Sequence, residues 1–245
     1  IQDYMAGMPS DQYPDTDWQD LTMSNSAFMQ SHNVSVNAGN EKAKVLASFS
    51  YLDQDGIIPN TGFKRYNLRF NSDINVTNKL TLSTDIFLRR ADQIEPSNGT
   101  GYVFHWMRRI PANEVGVLSN GRYGEGWNGD HPLARAKDGG VRSTESLDAI
   151  LNFKLNYQFT EWLSANVMYA PKLWNPHVKS FSNITQTYAR DGETPTFFVP
   201  QRNSLTESYT REWYNNFRAM VNMDKTFNEV HTLGFTGGFQ QEDQT

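Results

Sequence analysis

The residues best able to hold a metal are five histidines, His32, His105, His131, His177 and His231, and none stands at a ligand spacing from another. The chain has no cysteine, which removes thiolate sites and disulfides alike. Asp53-Gln54-Asp55-Gly56 opens like a calcium loop, but no glutamate follows at the twelfth position, and the same residues are ordinary turn chemistry. A glycine-rich phosphate loop, a nucleophile elbow and an HExxH pair are all missing from the sequence. Acidic residues are numerous in the irregular stretches, so a carboxylate pair for glycoside hydrolysis stays open, yet nothing singles out two of them. The expectation is a binding protein, not an enzyme, with no metal and no cofactor. Its best candidates for ligand contact are aromatic: Tyr102, Trp106, Tyr123 and Trp127 lie among glycines and asparagines, where flat apolar faces beside hydrogen-bonding groups suit a sugar ring or a peptide. The same rings would also serve to pack that stretch against itself.

The elements that must position such residues are strands. Ala149, Leu151, Phe153, Leu155, Tyr157 and Phe159 fall on one side of an extended chain, and Asn152, Lys154, Asn156 and Gln158 on the other. After a turn at Thr160-Glu161 the pattern resumes with Leu163, Ala165, Val167 and Tyr169. Earlier, Val34, Val36 and Ala38 alternate up to a turn at residues 39–42 and continue in Val45, Ala47, Phe49 and Tyr51. Tyr66, Leu68, Phe70, Ile74 and Val76 oppose Asn67, Arg69, Asn71, Asp73 and Asn75, and a turn at Thr77-Asn78-Lys79 leads to Leu80, Leu82, Ile86 and Leu88. Near the end, Phe217, Ala219, Val221 and Met223 precede a turn at Asn228-Glu229 and a last strand through Leu233, Phe235 and Phe239.

These patterns predict an all-β chain of about eight antiparallel strands. The first strand of the 149–169 hairpin runs over ten residues, whereas soluble strands average about 5 to 6 and a tilted membrane-crossing strand needs about 9 to 11. Links near 40, 78, 160 and 229 are short; those near 57, 91–145 and 175–211 are long. Short and long alternate strictly, as in an outer-membrane barrel with tight turns at one end and long outer loops at the other. Arg69, Asp73, Asp85, Lys154 and Arg218 all fall on polar faces, and Lys225 sits at the end of an apolar one. Tyr66, Tyr157, Phe159, Trp162, Tyr169 and Phe227 fall near strand ends, where interfacial belts belong.

Composition agrees. Hydrophobic residues make up only 38% while aromatics reach 13%, a mix suited to alternating strands with aromatic girdles. No apolar run is long enough for a transmembrane helix, and a net charge of −5 argues against nucleic acid as a partner. The chain starts at Ile1 without a basic or apolar leader, which reads as a mature or internal segment. Period two alone also fits a soluble β-sandwich, such as a carbohydrate-binding module, and eight strands could close a small autonomous barrel.

The block His32-Asn33-Val34-Ser35-Val36-Asn37-Ala38-Gly39, with Tyr51-Leu52-Asp53-Gln54-Asp55-Gly56-Ile57-Ile58 and Lys64-Arg65-Tyr66-Asn67-Leu68-Arg69-Phe70-Asn71, resembles the start of the barrel in SusC/RagA-type TonB-linked outer-membrane proteins. Asp15-Thr16-Asp17-Trp18-Gln19-Asp20 resembles the segment leading into it; Ile110-Pro111-Ala112, Gly121-Arg122-Tyr123, His131-Pro132-Leu133-Ala134 and Trp213-Tyr214-Asn215-Asn216 are weaker matches. The resemblance implies that residues 1–31 end an extracellular loop and that 32–245 are consecutive strands of a larger barrel of about 22. It implies an outer-membrane importer of oligosaccharides or peptides, a SusD-like surface lipoprotein over its mouth, surrounding lipid, and energy from TonB through a plug domain. The plug, the TonB-contacting segment and the barrel's last strand are not found complete in these residues.

Overall fold

The structure, a computed structural model, describes residues 10–245. Its centre is one antiparallel sheet of ten segments. In chain order the strands are β1 (Met29–Gly39), β2 (Ala43–Asp55), β3 (Gly62–Thr77), β4 (Leu80–Pro96), β5 (Gly140–Thr160), β6 (Leu163–Tyr169), β7 (Lys172–Ser182), β8 (Thr185–Tyr188), β9 (Pro195–Val199), β10 (Ser204–Tyr209), β11 (Glu212–Phe227) and β12 (His231–Gln244). Each of β1 to β5 pairs with the next. β6 and β7 keep one register against β5, and β10 and β11 keep one register against β7 and β6. They are therefore two long strands, each interrupted once. Pro171 explains the first interruption, because proline has no N–H to give the ladder.

Counted this way the wall has eight strands. The short links are two or three residues each; the long ones are residues 56–61, 97–139 and 183–203. Local chemistry sets the tight turns. In the three-residue link 228–230, Asn228 and Glu229 both take positive φ, 51° and 57°, and the Val230 N–H closes the turn on the Phe227 carbonyl at 3.1 Å. The Asn40 side chain accepts the N–H groups of Lys42 and Ala43, each at 2.8 Å.

Two loop boundaries differ from the sequence reading. The wall reaches Pro96 and resumes at Gly140, so the first long loop is shorter than 91–145; it continues to Ser182 and resumes at Ser204, so the second is shorter than 175–211. In both places side chains on the outward face turn polar, as at Glu145 and His177, and the period-two signal stops before the strand does.

Register builds continuous rungs across the wall. Val36, Ala47, Phe70, Ile86 and Leu151 are successive partners on one face, and Leu155, Val167, Ala219 and Phe239 on the same face farther along. No second sheet covers this face among the described residues, and Val34, Phe49, Leu68, Leu155 and Phe239 stand exposed on it. A water-soluble sandwich would bury them. The apolar band spans ten residue steps from Tyr66 to Val76, about 33 Å along the strand and roughly 25 Å along the normal at a tilt of about 40°, the height of a membrane-spanning band. β1 and β12 do not pair with each other, so the eight strands are an open wall, not a closed barrel.

The buried hydrophobic residues, among them Trp18, Ile58, Val103, Met107, Ile110 and Leu118, all lie off the wall. They hold together a dome of the long links, in which α1 (Trp18–Thr22), α2 (Thr100–Met107) and α3 (Pro132–Lys137) meet. Asp17 caps α1 by accepting the Gln19 and Asp20 N–H groups. Trp18 donates its indole N–H to the Pro111 carbonyl, and Thr16 its hydroxyl to that of Glu114.

His131 caps α3. Its Nδ1 accepts the Ala134 N–H at 3.1 Å, so Nε2 carries the proton donated to the Gly116 carbonyl at 2.6 Å. Burial pushes this imidazole down to about 4, whereas the unfolded chain takes up its proton near 6.5. The neutral ring's contribution is thus present above about pH 6.5 and lost as pH falls to about 4, at most about 3 kcal/mol. We expect the Ala134 amide, corrected for intrinsic rate, to exchange at least tenfold faster at pH 4.5 than at pH 7, with wall amides such as that of Leu151 unchanged.

Candidate functional site on the polar face

The face opposite the apolar band carries the chemistry. Arg89 on β4 and Asp148 on β5 are register partners; the guanidinium donates to the carboxylate, and the Ser146 hydroxyl donates to its other oxygen at 3.0 Å. Asp148 is nearly buried while Arg89 is half exposed. Trp174 stands beside Asp148 and Glu212 beside Trp174. Lys172 lies one step along, its ammonium 5.2 Å from the centre of the Tyr214 ring. With Phe87 and Ile150 these groups line a cavity of about 420 Å³.

A second cavity of about 510 Å³ shares Phe87 and Ile150 and adds Arg69, Asn71, Asp85 and Asn152. There Asp85 accepts from Asn71 at 2.5 Å and Asn152 at 3.2 Å, and the Arg69 guanidinium lies 5.9 Å over the Phe87 ring. The carbonyl oxygens of Asn67, Asn71, Asn152, Asn166 and Asn216 are buried without partners. Unpaired buried acceptors are costly, so this face is chemically suited to being covered by groups that donate. It combines aromatic plates, amides and a charge pair, the composition of a binding track.

Of the four aromatics singled out by sequence, three are tied into the dome. The Tyr102 hydroxyl donates to Asp130 and that of Tyr123 to Asp138; burial first, then the carboxylate, pushes both phenols up. Trp106 packs against the cluster of Trp18, Met107 and Ile110, 6.3 Å from the Tyr102 ring, and Tyr123 lies 5.1 Å from His131. Trp127 remains 48% exposed. The residues sequence reasoning missed are Phe87, Ile150, Trp174 and Tyr214. Two carried a readable signal: Phe87 stands between Asp85 and Arg89, and Ile150 between Asp148 and Asn152, apolar side chains at positions of polar parity.

No family model matches the chain. Among curated proteins it is similar to TonB-dependent receptor P3 of Formosa agariphila, 23% identical over 241 residues, which are 93% of this chain and 22% of that one. Over 68 residues it is 34% identical to TonB-dependent receptor P26 of the same organism, covering 28% of this chain and 7% of that one. Among solved structures, the RagAB peptide importer in its closed-closed state aligns over 97% of this chain and 28% of its own, with a TM-score of 0.71 and 16% identity. The open-open state gives 0.72 and 18%, over 95% and 26%. The chain has the fold of a stretch of SusC/RagA-type barrel wall. It lies in the outer membrane. It spans about a quarter of the length of the importer chains, and the SusC/RagA-type resemblance extends over nearly all of its own strands and dome.

Proposed function

We propose that this wall belongs to a TonB-dependent importer of nutrients too large for diffusion pores, oligosaccharides or peptides. The observation that carries the reading is the two-sided wall: an apolar band toward lipid and, at the same height, a lumen track of rings, amides and the Arg89–Asp148 pair. Relatives named as TonB-dependent receptors and the fold of a peptide importer support it. In this reading the chain makes and breaks no covalent bond; it holds solute and plug, and energy arrives from TonB through a plug outside these residues. A SusD-like lipoprotein covers the dome side, where the exposed Trp127 is offered to it or to ligand, and Tyr102, Trp106 and Tyr123 keep that surface rigid. A peptide finds both charges of the track; a saccharide finds its rings and amides.

Deleting the gene tests the reading. Uptake of a labelled oligopeptide or oligosaccharide mixture falls to background and returns with the full-length gene only when TonB is functional. Uptake unchanged by the deletion would refute it. Within the full-length protein, Trp174→Ala should lower uptake severalfold and leave the amount of heat-modifiable, assembled protein unchanged, because the ring faces the lumen and not the lipid.

A further inference from the structure

Just beyond the apolar band, on the outward face, the chemistry changes within one rung. His32, Tyr51, Tyr66, Arg90, Leu147 and Asn175 are successive register partners, and the next rung toward the loops runs Gln30, Asp53, Lys64, Asp92, Glu145, His177 and Tyr209. Below lies the rung of Leu68, Leu88, Ala149 and Leu173, with the exposed Leu147 at the junction itself. Above lie the ion pairs Lys64–Asp53 at 3.5 Å, Arg90–Asp92 at 3.2 Å and Arg90–Glu145 at 3.6 Å, and a hydrogen bond between His177 Nε2 and the Glu207 carboxylate at 2.7 Å. At the junction a groove of about 290 Å³ is lined by Arg90, Glu145, Leu147, Asn175, His177 and Tyr209.

We propose that this groove binds the saccharide headgroup of an outer-leaflet glycolipid. The occupant must join a polar head to an acyl tail, because the groove opens directly onto the lipid-facing leucines. Its head must bring hydroxyl donors. The Asn175 carbonyl oxygen is buried there without a partner, and the Glu145 carboxylate stands beside it. Tyr209, its ring 6.2 Å from that of His177, supplies a flat face for a sugar ring, and Arg90 keeps donors free beyond its two carboxylates. Within the lining one guanidinium, Arg90, stands against one carboxylate, Glu145, so the groove offers no excess of positive charge for a bare phosphate and suits hydroxyls. The site faces away from the lumen and takes no part in the transport path; it would fix the height of the wall in its leaflet.

The test uses the full-length transporter, purified from outer membranes and read by native mass spectrometry, with an Asn175→Ala/Tyr209→Ala double variant and Tyr51→Ala, four strands from Asn175 on the same face, as control. Wild type and the control should retain a glycolipid through delipidation, and the double variant should lose it at least tenfold more readily. Equal retention in all three would overturn the proposal. So would exchange for added phosphatidylethanolamine without preference, or a dimer of this chain that the double variant dissociates. Should the double variant assemble poorly, a photoreactive residue at position 209 decides the point: a crosslink to glycolipid supports it, and crosslinks to phospholipid or protein alone overturn it.

Discussion

Leu151→Arg prevents the barrel from accumulating in the outer membrane. Leu151 sits in the middle rung of the apolar band, paired with Ile86 and through it aligned with Phe70, Ala47 and Val36. A lipid-facing arginine at the midplane costs about 2–4 kcal/mol, and about 3 kcal/mol is more than a hundredfold in an assembly equilibrium. Heat-modifiable, protease-resistant protein should fall at least tenfold. The same exchange at Leu155, four residue pairs nearer the tight-turn end and next to the Tyr157 rung, should cost less, because arginine there reaches the headgroups. Arg69→Leu supplies the contrast. Arg69 lies on the lumen face over Phe87, so its loss should leave assembly intact and change uptake alone. Equal loss of assembled protein in Leu151→Arg and Arg69→Leu would mean the faces are wrongly assigned.

The second large effect is expected at Arg135, which is 2% exposed at the centre of the dome. Its guanidinium donates to the Asn183 carbonyl at 3.0 Å, the Val199 carbonyl at 2.7 Å and the Asn98 side chain at 2.5 Å, and so ties the 97–139 link to the 183–203 link. Burial pulls its pKa down, yet a guanidinium stays charged. Arg135→Leu would leave the Asn183 carbonyl without its donor, at about 1–3 kcal/mol, and strip one donor each from the Val199 carbonyl and the Asn98 side chain, which keep the hydroxyls of Thr185 and Ser97. Limited proteolysis of the variant should cut within 97–139 and 183–203 while the wall still assembles and resists. Arg135→Lys should rescue only in part, since one ammonium cannot reach all three acceptors in a plane. Unchanged protease resistance would remove Arg135 from its role as the clamp of the dome.

How much of this was legible follows from where water and lipid lie. Between Tyr66 and Val76, or Ala149 and Phe159, one face meets lipid and the other the lumen, and the sequence alternates cleanly. From Gly140 to Asp148 and from Lys172 to Ser182 the strands continue, but Glu145, Asn175, His177 and Lys179 interrupt the outward face between Val141, Leu147, Leu173 and Phe181, so the alternation is broken. Pro171 and Pro176 then make β7 look like loop, which also hid Trp174. The β8–β9 hairpin, four and five residues long, and helices as short as α3 are too brief for periodicity to detect. Arg135 and His131 gave no sign of their burial, because the contacts that bury them come from links far away in sequence.

The measurement that bears most directly on the account is site-by-site accessibility of spin labels along β3, in the full-length protein reconstituted into lipid. The chain has no native cysteine, so within it each introduced label is unique. Labels at 66, 68, 70 and 74 should be reached by oxygen dissolved in the bilayer and shielded from a water-soluble nickel reagent, and labels at 67, 69, 71 and 73 should show the reverse. An alternation in the opposite phase, or eight positions equally open to the nickel reagent, would contradict a wall with lipid on one side and a lumen on the other.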